Sequence, residues 1–315
     1  MSPPLVVEAV RGEIVESSHL VDVALADPEG TLLASAGEPA TIAFLRSVSK
    51  PVQATVCTEL GWEPPGDPHL AVACASHNGE QQHVEAVRTI LAAAEVDEPL
   101  LQCPPAIPSV VGELPPPDAP RRIYHNCSGK HAAMLATMVA NDWDPRAYPA
   151  ADGELQRAVR ARIEGIAGRP ARAVAEDGCG VPTFAFTLAE AAAMYARLPS
   201  ETGRAIEAMR AHPRLVAGSN RICTAVMTLV PGVVLKVGAE GLLCGVLVES
   251  QTGFAVKARD GAARGRAIAT VRVLELLGAL GSVSPDRIVE DILPRILPGQ
   301  GAHPILRCVG DLKQA

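Results

Sequence analysis

The sequence has no basic block and no arginine-rich stripe. Its 28 lysines and arginines are spread among 35 acidic residues, for a formal net charge of −7. Binding to a nucleic-acid backbone draws on clustered positive charge, so this balance argues against a nucleic-acid partner and, for the same reason, against an anionic membrane surface. No apolar run approaches the roughly 18 residues needed to cross a bilayer. The opening Met1-Ser2-Pro3-Pro4-Leu5-Val6-Val7-Glu8 lacks a basic stretch leading into an apolar one, so a cytoplasmic protein is expected. Eight cysteines in 315 residues are not a disulfide framework, and in a reducing compartment they are mostly thiols. Cys57, Cys74, Cys223, Cys244 and Cys308 have apolar neighbours and read as small buried hydrophobes. Internal repeats, a low-complexity tail and a flexible linker are also missing. The nearest thing to a linker, Pro104 to Pro120, reads as an ordered surface loop.

What is present is apolar residues, 48% of the chain, enough to bury a sizeable core as one large domain or two tightly joined ones. Leu5 to Val10, Leu20 to Ala26 and Thr31 to Ala36 alternate and carry β-branched residues, as strands do. The last two are joined by Asp27-Pro28-Glu29-Gly30, whose Asp, Pro and Gly fall where a type I turn wants them. Alanine-rich amphipathic stretches then predict helices over 52–60, 80–95, 130–141, 152–167, 187–197, 203–211 and 219–229. Strands return at Val233 to Gly238, Leu242 to Val248 and Gly253 to Arg259, and a last helix is expected over 261–279. The economical reading is α+β: a single domain over 1–315, with an antiparallel sheet made from strands in 1–40 and 230–260 and helix 261–279. A helical body of 41–229 covers it.

Four polar clusters interrupt this pattern. Ser47-Val48-Ser49-Lys50 sets a hydroxyl and an amine three positions apart, so on one helical turn a neutral Lys50 can take the Ser47 proton. Pro51 disfavours the helical conformation at Lys50, so the motif belongs at the very start of a helix, in a tight turn. Arg46 beside it is an anchor for a carboxylate, and Ser49 reads as a capping or substrate-binding residue. Ser76-His77-Asn78-Gly79-Glu80 follows the apolar run Leu70 to Ala75, expected to be a short strand or turn. Ser76 or Asn78 is either a helix N-cap or part of a site where free backbone donors polarise a carbonyl. Asn126-Cys127-Ser128-Gly129-Lys130-His131 fails as a phosphate loop, since Tyr124 occupies the place of the required glycine. Its cysteine, lysine and histidine could serve a metal or a substrate. In Glu176-Asp177-Gly178-Cys179-Gly180-Val181-Pro182 the flanking glycines suggest a tight, exposed turn around Cys179. Two cysteines this far apart are a weak zinc signal by spacing.

Together with Lys257-Ala258-Arg259-Asp260-Gly261, these clusters in this order resemble the rhizobial-type L-asparaginases, the asparaginase II group of bacteria. The resemblance runs from the first strands to about residue 280. It implies a serine β-lactamase/glutaminase-like fold and hydrolysis of L-asparagine to L-aspartate and ammonia. It also implies two serine–lysine tandems, Ser47/Lys50 and Ser76/Lys257. Ser47 would attack, Lys257 would keep Lys50 partly neutral and Ser76 would pass the proton. Arg46, Ser49, His77, Asn78 and His131 are read as substrate-binding, with Asn78 able to reshape specificity. A zinc ion would fall on Cys127, Lys130 and Cys179, orienting the substrate through its bound water rather than attacking. Homodimers are expected. Gly218-Ser219-Asn220-Arg221 is assigned no role. Three alternatives stay open: a β-lactamase, esterase or glutaminase on the same fold, a zinc-water hydrolase, and a binding protein that kept the fold.

Overall fold

The computed structural model describes residues 2–109, 119–297 and 302–315. Along the chain come β1 (Leu5–Arg11), β2 (Ile14–Ala26), β3 (Leu32–Ala36) and the short β4 (Ile42–Phe44). A 3-10 turn over Arg46–Ser49 leads into α1 (Lys50–Glu59), then α2 (Asp67–Ala73), α3 (Gln81–Ala93), α4 (Ser128–Ala140) and α5 (Glu154–Ala167). β5 (Ala173–Glu176) and β6 (Pro182–Thr187) precede α6 (Leu188–Glu201), α7 (Gly203–Ala211), α8 (Pro213–Val216) and α9 (Ile222–Leu229). The rest is β7 (Val233–Val237), β8 (Leu242–Leu247), β9 (Thr252–Ala258), α10 (Ala263–Leu276), α11 (Pro285–Ile296), β10 (Ile305–Val309) and β11 (Lys313–Gln314). These elements form two compact units. The first is Met1–Val48, Ala185–Glu201 and Asn220–Ala315; the second is Ser49–Phe184 and Thr202–Ser219.

The first unit is a sheet drawn from both ends of the chain, in the order β10-β1-β2-β9-β8-β7, with β3 on β2 and β11 on β3. The long β2 takes β1 and then β3 along one edge and β9 along the other, all antiparallel. The expected turn at Asp27–Gly30 closes the β2–β3 hairpin, with Gly30 N donating to Asp27 O at 3.1 Å. Side chains alternate faces along β9. A Cβ at Gly253 would meet the Ala192 carbonyl of α6, while Ala258, on the opposite face, lies beside Gly265 of α10. Helices α6 and α10 therefore cover the two faces, and Lys257 shares the α6 face.

The second unit is helical, and α4 is its centre, packed by α1, α2 and α3. Eleven of its 13 residues, from Ser128 to Met138, are buried. A helix buried all round is one that a core surrounds. Gly129 allows the approach of α2, for a Cβ there would lie 2.2 Å from the Val72 carbonyl oxygen.

Seven of the expected helices appear as α1, α3, α4, α5, α6, α7 and α9, and the eighth as α10. The apolar run Leu70 to Ala75 is a correction: its first part is the end of α2. A short continuous apolar run carries no period that separates strand from buried helix. The stretch 41–229 also holds strands β4, β5 and β6, and β4 pairs with the end of β6 (Ile42↔Thr187, Phe44↔Ala185). Helix α11 and strands β10 and β11 were not expected. Cys308, expected buried, is only partly covered because it lies on the sheet-edge strand β10. Of the Pro104–Pro120 loop, residues 110–118 lie outside the described residues; at its base Ala106 and Arg121 exchange both backbone hydrogen bonds at 3.0 Å.

Candidate active site

Lys50 opens α1 and is 1% exposed. The tight turn that Pro51 demands is present as the 3-10 turn Arg46–Ser49, and Pro51 sits in the first turn of α1, where its missing N–H costs nothing. Within the second unit the Lys50 amine donates to Ala75 O at 2.5 Å, Ser76 Oγ at 3.0 Å and Asn126 O at 3.5 Å. An ammonium spends one proton on each of these. A neutral amine keeps two for the carbonyls and turns its lone pair toward the Ser76 hydroxyl, the arrangement a general base needs. Ser49 is buried beside Lys50.

The loop after α2 is not a set of free donors. Ser76 N donates to Val216 O at 3.0 Å, His77 N to Asn126 O at 3.2 Å and Gly79 N to His77 Nδ1 at 3.1 Å. Neither Ser76 nor Asn78 caps α3, whose N-cap is Glu80. Asn78 instead donates from Nδ2 to Glu80 Oε1 at 3.1 Å and to Ser219 O at 2.9 Å. Ser219 N completes this clamp with a 2.6 Å bond to Glu80 Oε1. Burial works against the Glu80 carboxylate, yet these bonds and one from Gln82 carry its pKa below the usual range. Gly218 cannot be replaced here: its φ is +101°, and a Cβ would come within 2.7 Å of both Glu80 and Asn78 side chains.

His77 is neutral, with its proton on Nε2. Nδ1 accepts from Gly79 N, and Ser128 Oγ, which donates to Ile123 O, is left to accept from Nε2 at 3.1 Å. Burial holds His77 well below the ordinary imidazole value, helped by His83 stacked 4.8 Å away and by Lys50.

Cys127, at the N-cap of α4, and Cys179 meet in the same unit. The turn around Cys179 is tight, as expected, with Asp177 N bonded to Val181 O, but Cys179 is 2% exposed and not on the surface. Its thiol hydrogen bonds Cys127. That bond, with Lys50 and His125 nearby, holds Cys127 well below the ordinary thiol value against the effect of burial. The same bond and burial push Cys179 up. Lys130 Nζ lies 3.0 Å from Cys179 Sγ. Burial works to lower the Lys130 amine, but the two sulfurs carry it above the ordinary lysine value. Among the described residues no three of His, Cys, Asp and Glu gather to hold a metal. A zinc ion would therefore have two sulfurs and the Lys130 nitrogen, the latter only after losing its proton. This thiolate-rich set suits zinc in kind.

His131 is fully buried. Tyr148 OH accepts from Gln102 N at 2.7 Å and lies 2.5 Å from His131 Nδ1, to which it donates. That leaves the proton on Nε2, which is buried without a hydrogen-bond partner among the described residues. Burial, with Lys130 adding to it, keeps this ring neutral too.

Arg46, Ser47 and Lys257 belong to the first unit. Arg46 has a φ of +49°, and the Ser47 turn is closed by Val48 N to Leu45 O at 3.0 Å. Tyr195 OH holds the Val48 carbonyl at 2.7 Å. Lys257 donates to Ala258 O at 2.5 Å. Burial lowers its amine pKa, while Glu240, Asp22 and Asp260 work the other way. Asp22 itself is 1% exposed and held by a two-pronged bond from Arg259, at 2.9 and 2.7 Å.

The family model described as L-asparaginase II matches residues 7–302. The chain belongs to the L-asparaginase II family. No curated protein matches the sequence. Among solved structures, Mglu in its glutamate form aligns at 14% identity and a TM-score of 0.50, over 84% of this chain and 62% of that one. Mglu in its native form aligns at 14% and 0.48, over 84% and 66%. A Bacillus glutaminase aligns at 12% and 0.45, over 82% and 89%. The chain thus spans less than two thirds of the length of these Mglu chains. Its likeness to Mglu in the glutamate form, at 14% identity, is one of fold alone. Some neighbours of these residues carried no signal in the sequence: the Asn126 carbonyl on Lys50, Tyr148 behind His131, and the Asp22–Arg259 pair beside Lys257. A backbone carbonyl has no residue signature, and the other two join positions distant in the chain.

Proposed function

We propose that this amidohydrolase converts L-asparagine to L-aspartate and ammonia through a serine ester. Ser47 attacks the side-chain amide carbon as Lys50 takes its hydroxyl proton. The C–N bond then breaks, ammonia leaves with a proton, and water hydrolyses the aspartyl ester. The observation that carries serine–lysine chemistry is the buried Lys50 amine 3.0 Å from a serine hydroxyl. Because that hydroxyl is Ser76, the same bond favours a second reading in which Ser76 is the nucleophile. In the first reading Ser76 and Lys257 serve proton transfer. The buried Nε2 of His131, without a hydrogen-bond partner among the described residues, supports a substrate-binding role for it.

The test is ammonia release from L-asparagine and L-glutamine by wild type, Ser47→Ala and Ser76→Ala. Expected is asparagine-selective turnover that falls about a thousandfold or more in Ser47→Ala. Acid-quenched peptide mapping then places the aspartyl group on Ser47, or on Ser76 if the second reading holds. Glutamine turned over as fast as asparagine makes the chain a glutaminase. Turnover of neither amide sinks both readings and directs the search to β-lactams and esters.

Zinc held by Cys127, Lys130 and Cys179 is part of the proposal, where it would supply a positive charge for orienting the substrate. Metal analysis of the purified chain should find about one zinc per chain, lost in Cys179→Ser. Equal zinc in both proteins would remove these ligands from the reading. A homodimer, supported by the family resemblance, and a cytoplasmic location complete it; no described helix is long and apolar enough to cross a membrane.

A further inference from the structure

In the first unit, α9, α10 and α11 line a cavity of about 130 Å³ whose wall includes Arg221, Arg266 and Arg295. Among the described residues, the other polar one of that wall is Asn220, and none is a carboxylate. Two helix starts face the same space. Arg221 and Ile222 open α9 and Ala263 opens α10, and neither helix has a side-chain cap on its first turn. Such ends present backbone N–H groups and the positive pole of the helix dipole.

Arg266 supplies an independent sign. Its Nη1 donates to Gly238 O at 3.1 Å and Leu242 O at 3.3 Å. Its Nε is buried with no hydrogen-bond partner among the described residues. A buried donor left unmade is costly, the more so on a charged group. Burial lowers both Arg266 and Arg295 from the ordinary guanidinium value. A negative charge in the cavity would oppose that shift and give the Nε proton an acceptor.

We propose that this cavity is a binding site for a small oxyanion, a phosphate or carboxylate group, held by Arg221, Arg266 and Arg295 at the N-terminal turns of α9 and α10. None of the serines, lysines and cysteines assigned to amide hydrolysis lines it. A planar guanidinium matches such a group with two parallel hydrogen bonds, and three of them round one small space make a poor site for anything cationic. The site also has a mechanical consequence. Gly238, whose carbonyl Arg266 holds, packs so closely on the Ser47 turn that a Cβ there would lie 3.3 Å from both the Leu45 carbonyl and the Val48 side chain. A bound anion fixes Arg266 and, through it, the β7–β8 hairpin behind that turn.

The experiment is a titration of the full chain with inorganic phosphate, acetate and chloride at matched ionic strength, followed by calorimetry and thermal unfolding. Saturable binding of phosphate or acetate that raises the unfolding temperature, without a like effect of chloride, is the expected result. Saturation by phosphate alone points to a phosphorylated ligand, and by acetate alone to a carboxylate metabolite. Arg295→Gln and Arg221→Gln should each weaken binding about tenfold or more while the chain stays folded. These two variants decide the matter, because Arg266→Gln also removes the hairpin bonds. The proposal is overturned if all three salts act alike, or if both variants bind phosphate and acetate as wild type does.

Discussion

Two buried histidines of the second unit are neutral because their surroundings leave no other choice. His77 accepts at Nδ1 and donates at Nε2, and His131 accepts from Tyr148, so a second proton on either ring would meet a donor. Burial lowers both pKa values well below 6.5. The sign follows from which state binds more protons. Below the unfolded value of about 6.5 the unfolded chain takes up protons that the folded chain refuses, so stability is whole above that pH and lost as the pH falls. Each ring contributes a slope of about 1.4 kcal/mol per pH unit until its folded pKa is reached. Urea unfolding at about pH 7.5 and pH 5.5 should therefore show a loss on the order of 2–3 kcal/mol for the pair, with His77→Gln removing roughly half of it. An unfolding free energy that stays level or rises on acidification would contradict the neutral assignments. The sequence placed both histidines in polar clusters. It could not show their protonation, which is set by Gly79 N, Ser128 and Tyr148 acting together.

At the scale of the elements, the helices were legible where one face is apolar and the other is not. α3 and α5 repeat their buried residues at helical spacing, and the sequence reading meets both to within a residue or two. α2 was not legible, because Leu70, Ala71, Val72 and Ala73 are all buried and give no period. That same helix decides the fate of Gly129. A Cβ at Gly129 would sit 2.2 Å from the Val72 oxygen and 2.8 Å from its carbonyl carbon, and a backbone cannot turn aside as a side chain can. Gly129→Ala must push α4 off α2, carrying Cys127 and Lys130 with it. The expected cost is about 1–3 kcal/mol in unfolding free energy. Gly165→Ala, inside α5 with nothing within 4 Å, is the control and should stabilise by roughly 0.5–1 kcal/mol. Equal effects of the two substitutions would show that α2 and α4 are not in the close contact described.

At the scale of the whole chain, the sheet built from both ends was legible in outline, since the early and late strands alternate and a helical stretch separates them. Its edge was not. β10 buries little and follows α11, so neither its composition nor its neighbours announce a strand, yet it pairs with β1 from Val6↔Val309 to Val10↔Ile305. The same few residues keep β1 from being an open edge, and an open, apolar edge is a template for pairing with other chains. Ending the chain after residue 301 removes β10 and β11 and uncovers the edges of β1 and β3. Little apolar area is lost with them, so secondary structure by circular dichroism should change only slightly. Light scattering should instead rise with protein concentration, and the unfolding temperature should drop. Substituting Lys at Val6, whose side chain is half-buried on β1, should restore solubility to the truncated chain if edge pairing is the cause. A truncated chain that scatters no more light than the full chain at high concentration would mean that β10 closes nothing the sheet needs closed.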